Sequence, residues 1–105
     1  MNNKEIVKIF KAIGNERRLA ILKHIAKNGE LSVGQLSGLI HLSFRSVSKH
    51  LSILAGAGLV EVKQLSLSRY YFISQDFPKQ FLEFLKIVLP LFQICLDGDK
   101  PDLDY

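Results

Sequence analysis

Ser32-Val33-Gly34-Gln35-Leu36-Ser37-Gly38-Leu39-Ile40-His41-Leu42-Ser43-Phe44-Arg45-Ser46-Val47-Ser48-Lys49-His50-Leu51-Ser52-Ile53-Leu54 is the stretch that decides the fold. Ser32 and Gln35 have the Ser-x-x-Gln spacing of a capping box, which opens a short helix running to Ile40. His41-Leu42-Ser43 is a tight break, and Ser43 is a good N-cap for a second helix that runs to about Ala57 and is ended by Gly58. Val47, Leu51 and Leu54 recur there at i, i+4 and i+7, the spacing of a buried stripe. At about 100° per residue, Arg45, Lys49 and Ser52 then point the opposite way, flanked by Ser46 and Ser48.

Upstream, Ile6, Phe10 and Ile13, with Val7 and Ile9 beside them, keep helical spacing until Gly14. Asn15 caps a further helix, Glu16 to Lys27, with Leu19, Leu22, Ile25 and Ala26 inward and Asn28-Gly29 as its stop. Downstream of Gly58 the period changes. Leu59-Val60-Glu61-Val62-Lys63 and Arg69-Tyr70-Tyr71-Phe72-Ile73 are β-branched and aromatic runs on either side of Leu65-Ser66-Leu67-Ser68, which predicts a hairpin. From Asp76, with Pro78 tolerated in the first turn, a last helix is expected to about Leu96, kinked at Pro90. The order is α-α-α-α-β-β-α: a mainly helical chain with one β-hairpin. Residues 1–96 are expected as a single domain and 97–105 as an acidic, frayed tail. Two short helices joined by a tight turn and followed by a hairpin make a winged helix-turn-helix.

The chain has 105 residues, 48% hydrophobic and 23% charged, the proportions of one globular domain rather than of a disordered tail or a multidomain enzyme. Its single cysteine, Cys95, has no internal disulfide partner and cannot build a thiolate-rich metal site. The apolar stretch from Phe81 to Leu96 is broken by Glu83, Lys86, Pro90 and Gln93, too short and polar for a bilayer span, so no membrane is expected and the cytoplasm is the default. Net charge is +4. It is unevenly placed: eleven basic and four acidic residues precede Ser74 (+7), and three basic and six acidic follow it (−3). A basic body suits a polyanionic partner, although a solvated basic surface has the same composition.

The exposed helix face is more informative. Arg45 and Lys49 are like charges at i, i+4, which costs an isolated helix about 0.2–0.5 kcal/mol. A helix built for packing has little reason to keep that pair among small hydroxyls. A helix that reads DNA does, because Arg forks onto guanine and Ser bonds a phosphate or a base edge. A generic solvated face is the competing reading. His24, His41 and His50 share no i, i+4 spacing, and no Gly-rich phosphate loop, nucleophile elbow or paired acid and base is present, so neither an enzyme nor a metal or other cofactor is expected. His50 reads as a helix residue beside the groove or touching phosphate.

Gly14-Asn15-Glu16-Arg17-Arg18-Leu19-Ala20-Ile21-Leu22, Glu30-Leu31-Ser32-Val33-Gly34-Gln35-Leu36, Leu42-Ser43-Phe44-Arg45-Ser46-Val47-Ser48-Lys49-His50-Leu51 and Ala57-Gly58-Leu59-Val60 together resemble the arsenic-repressor (ArsR) family over roughly Phe10 to Ile73. The segment ending Val47-Ser48-Lys49-His50-Leu51 carries the most specific part of the likeness. The resemblance implies a homodimeric transcriptional repressor that dimerises through its first and last helices and leaves operator DNA when an effector binds. It places Phe44, Arg45, Ser46, Ser48 and Lys49 at DNA-contacting positions and makes Arg69 the leading contact of the wing; the reading of the helix itself adds Ser43, His50 and Ser52 to the expected DNA-binding residues. Two departures stand out. Metal-sensing members carry a cysteine pair where this chain has Leu31 to Gln35, and others bind zinc with Asp and His between their last helices, where this chain has no histidine. The wing tip, elsewhere Gly then Arg, is here Leu65-Ser66-Leu67-Ser68 with Arg69 displaced along the strand.

Apolar residues of the terminal helices point to the same assembly. Ile6, Val7, Ile9 and Phe10, and Phe81, Phe84, Leu85, Val88, Leu89, Phe92 and Leu96, cover more than one helical face. One face packs on the core, and the surplus needs a second surface, for which another copy of the chain is the candidate. The partners expected are therefore double-stranded DNA and the chain itself, with an effector left open. A winged-helix module that binds protein through Leu65 and Leu67, and an architectural DNA binder without sequence preference, are the alternatives.

Overall fold

The structure is a computed structural model that describes residues 1–91. The expectations for Phe92, Cys95, Leu96 and the acidic tail lie outside the described residues. Helix α1 (Asn3–Ile13) starts at Asn2, whose side chain accepts from the Glu5 N–H while Glu5 reaches back to the Asn2 N–H, a capping box in the first turn. Helix α2 (Glu16–Asn28) is capped by Asn15 through the Arg18 N–H and ends at Gly29, whose φ of 86° is open to a residue without Cβ. Strand β1 (Leu31–Ser32) leads directly into α3 (Val33–Ile40), and α4 (Phe44–Gly56) follows the turn. Strands β2 (Val60–Leu65) and β3 (Ser68–Ile73) form the hairpin. Helix α5 (Lys79–Val88) runs on into a 3-10 turn, Leu89–Leu91.

The sheet has the order β1-β3-β2 and is antiparallel throughout. Leu31 pairs with Tyr71 and Ser32 with Tyr70, so the two-residue β1 ties the start of the helix-turn-helix to the base of the hairpin. This strand was not expected from sequence. In the hairpin Leu65 pairs with Ser68, so the loop is only Ser66-Leu67, with Ser66 at φ 57° making the reversal.

One core joins all the helices. Ile21, Leu22 and Ile25 of α2, Leu36 and Ile40 of α3, and Val47, Leu51 and Leu54 of α4 are each 0% exposed. At roughly 1.5–3 kcal/mol per buried aliphatic side chain, this stripe is the main reason α4 has one fixed face outward. Ala26 is exposed, contrary to expectation, because the inward stripe of α2 is Ile21, Leu22 and Ile25. The last α-helix starts later than expected, with Pro78 in the N-cap position, and ends at Val88, two residues ahead of Pro90. Proline cannot donate to the helix, and the chain passes at Leu89, still helical in its backbone at φ −59° and ψ −38°, into the 3-10 turn that holds Pro90; the expected course from there to Leu96 lies outside the described residues.

Candidate nucleic-acid interface

The turn between α3 and α4 is held by local bonds. His41 takes the left-handed conformation at φ 55°, the Leu42 N–H donates to the Ser37 carbonyl at 3.3 Å, and the Ser37 hydroxyl donates to the Leu42 carbonyl. Ser43 then caps α4, its Oγ accepting the Ser46 N–H at 3.1 Å. Part of Ser43's hydrogen-bonding capacity is thus spent on starting the helix. With the Val47-Leu51-Leu54 stripe buried, Arg45, Ser48, Lys49 and Ser52 are exposed and Ser46 is half-buried. Neither Arg45 nor Lys49 takes part in an ion pair among the described residues. Two cations and three hydroxyl side chains, Ser46 included, are thus presented along about two turns of one helix. Phe44, the first residue of α4, is also exposed, and its ring lies over Gly34, where an added Cβ would come within 3.2 Å of Phe44 Cζ.

His50 sits at the margin between the buried stripe and this face, half-buried and in contact with Arg18 of α2. The Arg18 guanidinium reaches three groups. Its Nε donates to the Ala12 carbonyl at 2.6 Å, its Nη2 to the Lys11 carbonyl at 3.4 Å, and its Nη1 lies 3.2 Å from His50 Nδ1. Burial, and then the charges of Arg18, Arg17 and Lys49, hold the His50 pKa below the usual histidine value, so the ring is neutral at pH 7. Arg18 was not singled out from sequence. Its partners lie six to thirty-two residues away, and only the packing of α1, α2 and α4 brings them together.

The hairpin projects as a wing. Leu67 at its tip is 96% exposed, and Leu65 is about half exposed. Arg69 stands opposite Gln64 in the ladder, and its Nε donates to Gln64 Oε1 at 3.3 Å, which holds the guanidinium along the strand and below the tip. At the base of the wing Lys63 pairs with Glu30 at 2.6 Å and lies 6.0 Å from the centre of the Phe72 ring.

Helices α1 and α5 meet through aromatic rings. Phe10 packs edge-on against Phe81 at 5.6 Å and Phe84 at 5.9 Å, and Phe77 lies 5.5 Å from Phe81. The terminal apolar residues divide in two. Ile9, Leu85 and Leu89 are buried in the protomer's own core, which corrects their assignment to an interface: they lie on the inward stripes of their helices. Ile6, Phe81 and Val88 are half-buried, while Val7, Phe10 and Phe84 remain exposed, Phe10 at 48%. Ile87 and Leu91, missed from sequence, are exposed too, at 69% and 77%. Their i+3 and i+7 spacing from Phe84 was the available signal.

Among the described residues no group of three or more His, Cys, Asp and Glu is placed to hold a metal ion, and no helix is long and apolar enough to cross a membrane.

A helix-turn-helix whose second helix presents cations and hydroxyls, continued by a β-hairpin, defines a winged helix-turn-helix protein. The profile described as "Bacterial regulatory protein, arsR family" matches residues 15–62. The transcriptional activator HlyU of Vibrio cholerae serotype O1 is 39% identical over 84 residues, which span 80% of this chain and 77% of that protein. The chain therefore belongs to the arsR family of bacterial regulatory proteins. An uncharacterized HTH-type transcriptional regulator of Methanocaldococcus jannaschii is 34% identical over 77 residues, 73% of this chain and 86% of that one. Among solved structures, reduced HlyU from V. cholerae superposes with a TM-score of 0.74 at 34% identity, covering 87% of this chain and 92% of that chain. A homodimeric winged helix-turn-helix DNA-binding domain from Mycobacterium bovis gives a TM-score of 0.72 at 26% identity, covering 84% and 78% of the two chains.

Proposed function

We propose that the chain acts as a homodimer that binds a pseudo-palindromic DNA operator in the cytoplasm and regulates transcription by occupying it, by binding and not by catalysis. The observation that carries this is the outward face of α4: Arg45 and Lys49, in no ion pair among the described residues, on a helix whose other face is fully buried. Arg45 in the first turn reads a base edge, guanine being the partner its fork fits, while Lys49 and Ser48 hold the site one turn further on. Phe44, Ser46 and Ser52 border them, Ser43 and His50 contact phosphate, and Arg69 grips the backbone from the wing. Dimerisation covers the exposed part of the α1 and α5 face, in keeping with the homodimeric state of the M. bovis domain. A two-fold dimer puts the two α4 helices about 34–36 Å apart on successive turns of one DNA face. The V. cholerae relative is named an activator, and whether occupancy represses or activates depends on where the operator lies relative to the promoter.

Leu67 at the wing tip favours a second reading, a winged-helix module that docks on protein. Selection of duplexes from a random pool, followed by a salt titration of the winner, separates the readings. The proposed function gives an enriched palindrome and an affinity that falls with a log–log slope of about 0.9 per phosphate neutralised. Steep salt dependence without an enriched sequence leaves an architectural DNA binder, and no duplex binding at low salt leaves the protein-docking module.

A further inference from the structure

We propose that Arg18 is a positioning residue for DNA binding, holding the His50 ring so that its Nε2–H faces the phosphate backbone while fastening that ring to the end of α1. The proposal rests on the DNA-binding reading above. A guanidinium has five N–H donors and no acceptor, so its contact with His50 Nδ1 at 3.2 Å requires that nitrogen to be the acceptor. A neutral imidazole accepting at Nδ1 carries its proton on Nε2, across the ring from Arg18. No hydrogen bond to Nε2 is formed among the described residues, and the half-buried ring lies next to Lys49 at the edge of the exposed face. The second half of the device is the grip of Arg18 on α1. The Lys11 and Ala12 carbonyls are in the last turn of that helix, where carbonyls lack partners within the helix, and a cation there also complements the helix dipole. Three helices thus meet at one side chain.

The charged groups facing the ring are all cations. Helix α1 meets Arg18 through backbone carbonyls and not through a charge on the ring, while Arg17 and Arg18 approach from α2 and Lys49 from α4 itself. Together with burial they keep His50 neutral, the form that can accept from Arg18 and donate from Nε2 at the same time. Protonation would put a hydrogen on Nδ1 against the guanidinium and break the contact.

The test has one arm free of DNA and one with it. In the intact wild-type protein, two-bond proton–nitrogen correlations of the His50 ring should show the Nε2–H tautomer at neutral pH. The Nδ1–H tautomer would overturn the proposal without any variant having to fold. In the second arm, binding is measured to the tightest duplex from random selection. Arg18→Lys, which keeps the charge and loses the fork, should weaken binding about tenfold, the scale of a charge-assisted hydrogen bond. His50→Gln places an amide donor where Nε2 was, independent of Arg18, so in that background Arg18→Lys should cost less than about twofold. An equal loss in both backgrounds would mean that Arg18 acts only through the fold, and would refute the phosphate role. If wild type binds no duplex at all, the DNA-binding reading fails and the phosphate role with it, whereas the tautomer still decides whether Arg18 fixes the ring.

Discussion

Replacing Arg45 with Ala should make the free protein more stable and its DNA complex weaker. Arg45 is the second residue of α4, exposed and outside any ion pair among the described residues, so truncation removes no stabilising contact. It does remove two unfavourable terms. Like charge with Lys49 one turn on costs about 0.2–0.5 kcal/mol. A cation in the first turn opposes the helix dipole, and at an exposed site this costs from about 0.3 kcal/mol upward. Arg45→Ala should therefore gain roughly 0.5–1 kcal/mol, or about 2–8 °C in Tm for a domain of this size. Against the selected operator, loss of a bidentate base contact costs about 1–3 kcal/mol per half-site, and a dimer makes the contact twice. On random duplex the loss should be much smaller. Arg69→Ala on the wing is the contrast: it should weaken both duplexes alike and flatten the salt slope by about one unit for each phosphate released. Thermal unfolding at low salt and fixed protein concentration, with competition binding against the two duplexes, measures all of this. A lower Tm for Arg45→Ala, or unchanged operator affinity, would refute the assignment of Arg45 as a residue kept for DNA at a cost to the helix.

Phe10→Asp should convert the dimer to a monomer in sedimentation at micromolar concentration, because it places a carboxylate on the α1–α5 face; an unchanged dimer would move the interface elsewhere. His50 gives a pH signature. Its folded pKa is depressed, so below the usual histidine pKa of about 6.5 the unfolded chain binds more protons, and stability is lost as pH falls from there through the folded value. Urea unfolding between neutral pH and about pH 5 should show a steeper loss for wild type than for His50→Gln, and parallel curves would mean the ring is not coupled to the fold. Gly38→Ala in α3, where an added Cβ meets nothing within 4 Å, should stabilise by about 0.5–1 kcal/mol without changing DNA affinity. Gly34→Ala pushes on the Phe44 ring at 3.2 Å instead, so its smaller stability change should come with altered DNA affinity, and identical behaviour of the two variants would remove Phe44 from the interface.

The helix-turn-helix was legible because its signals are local. Ser32 and Gln35 form the expected capping box, with bonds of 3.1 and 2.9 Å, and α3 ends at Ile40 as its apolar spacing indicated. The Val47-Leu51-Leu54 stripe fixed the outward face of α4 for the same reason, since 3.6-residue periodicity needs no knowledge of the partner helix. The features that escaped are non-local. Strand β1 is two residues long and exists only because Tyr70 and Tyr71, about forty residues later, arrive beside it. Arg18 looked like any helix-surface arginine until α1 and α4 closed on it. The spacing of the terminal stripes shows them too wide for one core, yet which of their residues turn inward is a matter of how α1 and α5 cross. That crossing buries Ile9, Leu85 and Leu89 in the core and leaves Ile87 exposed, which spacing within one helix does not specify.

Helix α1 is where these threads join. One of its faces, Ile9, Ala12 and Ile13, is locked into the core, and another, Val7 and Phe10, is left exposed, with the Phe10 ring against Phe84 of α5. Its last-turn carbonyls are bound by the side chain that also contacts His50 on α4. A close-packed core passes on a shift of α1 instead of absorbing it, because filling a gap or relieving an overlap at Ile9 or Ile13 requires the neighbouring helices to move. In the proposed dimer, docking of a second protomer on the outer face of α1 would therefore bear on α4 through two routes, the core and Arg18. Of the two, only the Arg18 route is directional: it depends on three bonds with fixed geometry, and a lysine, with its single ammonium, cannot make the same fork. On the DNA-binding reading proposed above, the Arg18 route would couple the α1–α5 face to the outward face of α4 through a single side chain, beside the less directional route through the core. A perturbation of the outer face that leaves the protein folded and dimeric, Val7→Ala for instance, should register first as a change in the His50 ring resonances; if those stay fixed while DNA affinity falls, the core alone carries the coupling.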